Sequence, residues 1–432
     1  MHPYGVITTL ILSILAIFAP PRWAALSLIA STLILTQGQS VSVLGFNLFS
    51  TRIIILVGFL RVIIQKRITY TSLTTTDKAL VLLYSYTTCI FLIRSETDHA
   101  YVIGDAADII ICYFAFRALI KTPDDIWWIL KSIAILFIPY SASLIYETFS
   151  QVNPFKTLGS IELSGEKWMR GGRVRCQGSF RHASLLGTLG ATFMPLYIGM
   201  YFTKQSKAIA TIGMITCLTI VFTSNSGGPL STLAIGLTCW LFWKFRYKMK
   251  KVRLGLIVLL VTLAIFMKAP IWYLPAKASS ITGGDGWHRS YLMDIAFQKL
   301  DQWWLAGMPL EFTGDWFHYV IEVTGAADIT NEYISFGIRA GLPAIILFVS
   351  LLVILYKAIG QANLISSPNQ KTFKILTWSL GVVLTTHIFN WFGITYFDQT
   401  YVIWCFHIAL IAGAAAWAQE TASNRETTIS SP

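Results

Sequence analysis

Apolar runs of near-spanning length recur from one end of the chain to the other, each flanked by charge or by Pro and Gly. Hydrophobic residues make up 55% of the 432 residues and charged residues only 12%, with a mean hydropathy of +0.61. A soluble domain of this size cannot bury that much apolar surface, so the chain needs lipid as its solvent. The clearest runs are Val6–Phe18, Ile53–Ile64, Ile126–Tyr146, Ala183–Tyr201, Leu254–Met267, Ala344–Tyr356 and Val402–Trp417.

The number of runs predicts an all-α fold, a polytopic transmembrane bundle of about 12 or 13 helices in a single membrane domain over residues 1–432. Pro20-Pro21 leaves open a kinked helix or two helices joined by a loop. The first run lacks a basic leader and a cleavage motif, so we expect it to be retained. Only Cys176 lies in a long polar stretch, so we expect neither a disulfide framework nor a cysteine metal site.

The net charge of +12 follows from topology rather than from nucleic-acid binding, because Lys and Arg sit in short connectors between spans. The positive-inside rule places the clusters at 65–67, 117–121, 204–207, 244–253 and 357–374 in the cytoplasm. Short outside segments then fall near 94–100 and 224–229, and two long periplasmic loops cover 151–181 and 269–330. The polar tail at 419–432 is predicted to be cytoplasmic and disordered.

The second long loop contains a helical pattern of apolar residues: Trp287, Tyr291, Leu292, Ile295, Ala296, Leu300, Trp303 and Trp304. Polar residues, His288 and Arg289 among them, fall between these positions. The pattern predicts an amphipathic interfacial helix. Its aromatic residues suit either the lipid headgroup level or contact with a substrate.

The first long loop breaks the usual rule for outside segments, because Glu166–His182 carries Lys167, Arg170, Arg173, Arg175 and Arg181. Guanidinium groups beside glycines that allow close backbone approach, here Gly171 and Gly172, suit bidentate binding of phosphate or pyrophosphate. The alternatives are nonspecific binding of anionic lipid and pairing with Glu162 or Glu166. We favour the phosphate interpretation.

Several ionisable residues lie just inside the predicted spans at the outer side. Arg181, His182, Glu332 and Arg339 are candidates for a site between helices, with an ion pair of Glu332 and an arginine as the structural alternative. Asp105, Asp108, His387 and Asn390 either extend that cavity or make helix–helix hydrogen bonds. The turn Thr223-Ser224-Asn225-Ser226-Gly227-Gly228-Pro229 suits an anion at a helix N-terminus or a plain tight turn.

Four segments, in order, resemble the bacterial O-antigen ligase and polymerase superfamily of integral membrane glycosyltransferases. Residues 180–187, FRHASLLG, resemble F-x-H-P-N-x-L-G with Ala-Ser in place of Pro-Asn, and 223–228, TSNSGG, resemble T-x-S-R-G without the basic residue. Residues 286–289, GWHR, followed by 303–307, WWLAG, resemble the large periplasmic loop. Residues 328–334, DITNEYI, followed by Gly341-Leu342, resemble H-N-x-Y-L and its G-L helix.

The resemblance implies inverting glycosyl transfer from an undecaprenyl-diphosphate-linked glycan to a glycan or lipid acceptor, at the periplasmic face of the bacterial inner membrane. Arg181 and Arg289 would neutralise the diphosphate, with no metal or other cofactor. Arg170, Arg173, Arg175, Arg339, His182 and His288 are further candidates for substrate binding.

The His that the family uses as the base or as a key donor-site group is replaced by Thr330, which cannot act as a base near neutral pH. The groups nearby that can take a proton are Asp328, Glu332, His318 and His182. Of these we favour Asp328 or Glu332, beside Asn331. The missing His favours a polymerase over a ligase.

Two other classes share these features: a transporter or flippase of a lipid-linked or anionic substrate, and a non-catalytic assembly protein. Transporters commonly show paired repeats and interrupted helices at the bilayer midplane, which this sequence lacks.

Overall fold

The structure is a computed structural model that describes residues 1–43, 46–68, 73–95, 99–159, 168–203, 205–274, 286–316, 320–321, 326–365 and 370–430. Its architecture is an all-α bundle, as predicted. The long helices are α1 (Pro3–Phe18), α2 (Pro21–Ile34), α3 (Ser50–Ile64), α4 (Thr75–Arg94), α5 (His99–Leu119), α6 (Pro123–Ser150), α7 (Ala183–Thr203), α8 (Lys207–Thr223), α9 (Gly227–Leu241), α10 (Met249–Phe266), α13 (Glu332–Ile365), α14 (Lys371–Asn390) and α15 (Gln399–Ser430).

Six of these helices, α4, α6, α7, α13, α14 and α15, are long and apolar enough to cross a membrane, and together they indicate a membrane protein. The core is built around α7 and α15, whose apolar stretches are 83% and 78% buried. Helix α7 packs against α8, α9 and α14. The Pro20-Pro21 alternative resolves as two helices, because α1 ends at Phe18 and α2 begins at Pro21.

Loops that the sequence places outside meet at one end of the bundle, which we term the site end. There Gln39 Nε2 donates to the carbonyl of Leu158 at 2.8 Å. At the opposite end Arg22 pairs with Asp125 at 2.5 Å, beside a predicted cytoplasmic connector. These two contacts mark the two ends of the bundle.

The described chain also contains three small antiparallel hairpins, two shorter α-helices and four 3₁₀ helices, at Lys156–Leu158, Phe242–Lys248, Ile271–Tyr273 and Leu310–Trp316. The hairpins are β1–β2 (Ser40–Val43 and Phe46–Phe49), β3–β4 (Met169–Arg170 and Arg173–Val174) and β5–β6 (Val320–Ile321 and Ala326–Ala327). Helices α11 (Gly286–Gln298) and α12 (Leu300–Trp303) lie in the second long loop.

Helix α13 is broken near its start, where Ala340 and Gly341 leave helical geometry. Gly341 has φ +78° and ψ −177°, a conformation open to glycine alone, and a Cβ on it would lie 2.3 Å from the carbonyl oxygen of Leu305. A Cβ on Gly307 would lie 2.2 Å from the carbonyl oxygen of Ile338. The WWLAG segment and the G-L segment of the family resemblance are thus packed directly against each other.

The polar tail differs from its prediction. Helix α15 continues to Ser430, so residues 419–430 are helical where disorder was expected. Polar composition alone predicted disorder, but residues 419–430 contain no Gly or Pro and follow an alanine-rich part of the same helix. A helix that is already formed extends through such a segment at little cost in free energy.

Candidate functional site

The arginine-rich loop forms the β3–β4 hairpin at the site end. Arg170 pairs with Arg173 across its turn, where Gly171 and Gly172 have φ +56° and +72°. Positive φ at both central positions is the two-residue hairpin geometry that glycine favours. The turn therefore presents two guanidinium groups from one tight loop.

The hairpin is fixed to the TSNSGG turn at the start of α9. Asn225 Nδ2 donates to the carbonyls of Arg170, at 2.9 Å, and Arg173, at 3.1 Å. The Cys176 amide donates to the carbonyl of Thr223 at 3.1 Å. Two segments singled out separately in the sequence thus form one structure.

Arg175 and Arg289 join this structure from different loops. Arg175 is only 5% exposed, and its burial together with the positive charges of Arg170 and Arg289 lowers its pKa to about 10. The Arg289 guanidinium lies beside the N-terminus of α9, 3.5 Å from the position of a Cβ on Gly228. Three guanidinium groups and a helix N-terminus therefore concentrate positive charge in one place.

A cavity of about 280 Å³ opens at this point. Its lining residues come from the hairpin, the end of α8 and the first turn of α9: Arg170, Gly171, Arg173, Val221, Phe222, Asn225, Ser226, Gly227 and Leu230. The Ser226 side chain makes no capping bond to the helix and hydrogen-bonds Ser184 instead. The first N–H groups of α9 therefore have no side-chain cap and face a site suited to an anion.

Residues 391–398, between α14 and α15, connect the predicted site residues, and sequence reasoning overlooked them. A Cβ on Gly393 would lie 2.7 Å from Arg289 Nη1. The Tyr396 amide donates to Glu332 Oε2 at 2.9 Å. Asp398 pairs with Arg181 at 2.9 Å. The signal available in the sequence was weak, being only the nearby His387 and Asn390.

Arg181 and Arg339 lie apart from the hairpin arginines, in a cluster with carboxylates. Arg339 pairs with Asp105 at 2.9 Å, whereas the alternative drawn from the sequence paired an arginine with Glu332. Glu332 is close enough to interact electrostatically with Arg339. The residues predicted to bind diphosphate therefore fall into two groups. The hairpin arginines and Arg289 form a cationic group, whereas Arg181 and Arg339 lie beside carboxylates that nearly balance their charge.

A second, smaller cavity of about 70 Å³ lies in that balanced cluster. It is lined by Gln37, Phe49, Thr51, Arg52, Tyr101, Asp105, Asp108, Phe397, Asp398 and Tyr401. Asp108 is paired with Arg52 at 2.5 Å on its wall. Aromatic rings, three carboxylates and an amide thus surround one space.

The sequence candidates for a base differ in environment. Asp328 is exposed on the surface. Glu332 is half-buried, and one of its oxygens already accepts the Tyr396 amide. Asn331 is 1% exposed, and its Oδ1 caps α13 by accepting the Ile334 amide at 3.1 Å. The two carboxylates remain predictions, while Asn331 has a structural role in starting the helix.

Helix α11 is packed on more sides than an interfacial helix would be. Leu292 and Trp303 are buried against α13, whereas Trp287 is 60% exposed and stacks on Tyr291. His288, assigned to the polar face, is buried at 7% exposed. The reason is that the segment before α11 covers this face, where Ser290 and Asp294 make hydrogen bonds to residues 272–273.

His182 is half-buried at the start of α7, where its Nδ1 accepts the Ser184 amide at 3.2 Å. His387 bonds to His407 at 2.9 Å and to Tyr396 at 2.7 Å, and so makes the helix–helix contacts that were one of its two alternatives. Lys167, Glu162, Glu166 and His318 lie outside the described residues.

Comparison with protein-family models, with curated proteins and with solved structures finds no match to this chain.

Proposed function

We propose that this chain transfers a glycan from an undecaprenyl-diphosphate carrier to a glycan or lipid acceptor, as a polymerase or ligase of a cell-surface polysaccharide. The observation that carries the proposal is the convergence of Arg170, Arg175 and Arg289, from two loops more than a hundred residues apart, on the N-terminus of α9. Grouped like charges are costly to hold together, and a polyanionic ligand offsets that cost.

The chemistry follows from where charge develops. When the bond between the anomeric carbon and the diphosphate breaks, negative charge builds up on the leaving oxygen. Preorganised guanidinium and backbone N–H groups stabilise that charge without a metal ion. The cavity beside Arg170 and Arg173 accommodates the diphosphate, and the lipid tail extends into the bilayer beside the bundle. A carboxylate at the site end takes the proton of the acceptor hydroxyl.

The positive-inside rule supports a periplasmic site end in the bacterial inner membrane. The connectors at 65–67, 117–121 and 244–253 carry ten of the 33 lysines and arginines, and they lie at the opposite ends of the helices that lead to the site end.

The test is transfer of a glycan from an undecaprenyl-diphosphate-linked donor by the purified protein. We expect Arg289→Ala and Arg181→Ala to abolish transfer with folding and membrane insertion intact. Arg289→Lys keeps the charge but loses the planar fork, so it should also lose most of the activity. The matched control is Arg253→Ala, an exposed arginine on α10, which should leave transfer unchanged. Full activity of Arg289→Ala would refute the proposal.

A second measurement, translocation of the lipid-linked glycan by the same protein in vesicles, distinguishes a transporter from a transferase. Translocation of the lipid-linked glycan without any transfer, at the wild-type rate after removal of the site-end carboxylates, would replace the proposed function with transport.

A further inference from the structure

The proposed transfer needs a base, and Thr330 cannot serve. Of the sequence candidates, Asp328 is exposed away from the cavities and Glu332 is engaged with the Tyr396 amide. Asp398 lines the second cavity, whereas Asp328 and Glu332 line neither of the two cavities.

Asp398 is held in an unusual backbone conformation beside the second cavity. Its φ is +53°, a left-handed value that Asp tolerates better than most residues but that must be stabilised by its surroundings. Its side chain is 14% exposed, lies 2.9 Å from Arg181 and lines the cavity with Tyr101 and Tyr401. A carboxylate is thus fixed where a small polar ligand has room to approach it.

The lining of this cavity suits a sugar. Aromatic faces pack on the apolar faces of a pyranose, and carboxylate and amide oxygens accept hydrogen bonds from its hydroxyls. The hairpin cavity, in contrast, is cationic and suits the diphosphate. Arg181 pairs with Asp398, which lines this cavity, at 2.9 Å.

We propose that Asp398 is the general base of the transfer and that the cavity beside it binds the acceptor sugar. In this step the acceptor hydroxyl oxygen bonds to the anomeric carbon of the donor, and the bond from that carbon to the diphosphate breaks, leaving its electron pair on the diphosphate. The hydroxyl proton passes to the Asp398 carboxylate. This inference rests on the proposed function.

The charges around Asp398 suit this role. Burial raises the pKa of Asp398 to about 6, Arg181 opposes that shift, and the nearby carboxylate of Asp105 adds to it. The cavity also holds Asp108, paired with Arg52, and the phenols of Tyr101 and Tyr401. A base with a pKa just below neutrality is ionised at pH 7 and still accepts a proton readily.

The first test compares Asp398→Asn with the wild type for transfer and, separately, for binding of inorganic pyrophosphate. We expect transfer to fall by a factor on the order of 10² to 10⁴ while pyrophosphate binding persists. Asp398→Glu should recover part of the rate. Asp125→Asn, which breaks the Arg22 pair at the opposite end, is the matched control and should keep the wild-type rate.

The second test does not depend on removing Asp398. Transfer should increase with pH through about 6 in the wild type, and Asp105→Asn should move that midpoint to lower pH because it removes a negative charge that raises the pKa of Asp398. An unchanged midpoint in Asp105→Asn, or wild-type transfer by Asp398→Asn, would overturn the inference. The inference would also be overturned if Glu332→Gln or Asp328→Asn lost transfer while Asp398→Asn kept it. In that case the proposed function would stand with a different base. A wild-type protein that transfers nothing would refute the function and this base with it.

Discussion

Arg289 lies against Gly393, so closely that a single methyl group at residue 393 would stand 2.7 Å from its Nη1. The contact joins the second long loop to the loop between α14 and α15. Residues 391–398 also contact Glu332 and Arg181, so Gly393 belongs to a loop that links Arg289 to both residues.

Gly393→Ala therefore tests the position of Arg289 without removing its charge. The end of the Arg289 side chain can move, so we expect the variant to fold. A guanidinium displaced by about 1 Å should lower transfer on the order of 100-fold. The control is Gly228→Ala, whose Cβ would lie at an ordinary 3.5 Å from the same guanidinium. Equal transfer by the two variants would show that the position of Arg289 is unimportant.

Gly341→Ala tests the break in α13. Its positive φ and the contact with the Leu305 carbonyl should together destabilise the protein by at least about 1 to 3 kcal/mol, the cost of the backbone conformation alone. Gly360→Ala, in the same helix with open space around its Cβ position, should be neutral or stabilising by up to about 1 kcal/mol. Thermal unfolding in detergent compares them, and similar melting temperatures would contradict the packing described for residues 305–308 and 338–342.

The sequence predicted the helices better than the contacts between distant segments. Apolar runs of the length that the bilayer thickness sets located the long apolar helices, because hydrophobicity is a local property of the chain. The orientation that positive charge indicates stays a prediction. The docking of Asn225 on the arginine hairpin and of Arg289 on Gly393 depends on tertiary packing between distant segments, which no local pattern encodes. Asp398 was overlooked for the same reason: its importance comes from Arg181 and Asp105, which approach it only in the fold.

Arg175→Met tests whether the crowded arginines are arranged for an anion. Inorganic pyrophosphate at 100 times its dissociation constant should stabilise the wild type by about 2.7 kcal/mol. Arg175→Met removes one of the three converging guanidinium groups, and the melting temperature of the ligand-free variant is the baseline for its comparison with pyrophosphate. Its stabilisation by pyrophosphate should disappear. Arg253→Met is the control, and the same gain in melting temperature in both variants would argue against an anion site at the hairpin.

Tyr396→Phe tests whether buried hydrogen bonds hold the 391–398 loop in place. The Tyr396 hydroxyl bonds to His387 Nδ1 at 2.7 Å and receives a bond from Asn390 Nδ2 at 3.1 Å. Among the described residues His387 Nδ1 has no other hydrogen-bond partner, so we expect a loss of about 1 to 3 kcal/mol in the free energy of unfolding. Transfer should fall as well, because the loop that the Tyr396 hydroxyl anchors carries Asp398.

The matched control for that substitution is Tyr356→Phe, which removes a hydroxyl 2.7 Å from Thr385 Oγ1. Thr385 keeps its bond to the Gly381 carbonyl, so no buried group loses its last partner and the change in stability should stay within about 0.5 kcal/mol. If Tyr396→Phe melts at the same temperature as Tyr356→Phe and transfers at the wild-type rate, the remaining contacts of the loop, among them those with Glu332 and Arg181, are enough to hold it. In that case the His387–Tyr396 bond contributes nothing to the geometry of Asp398.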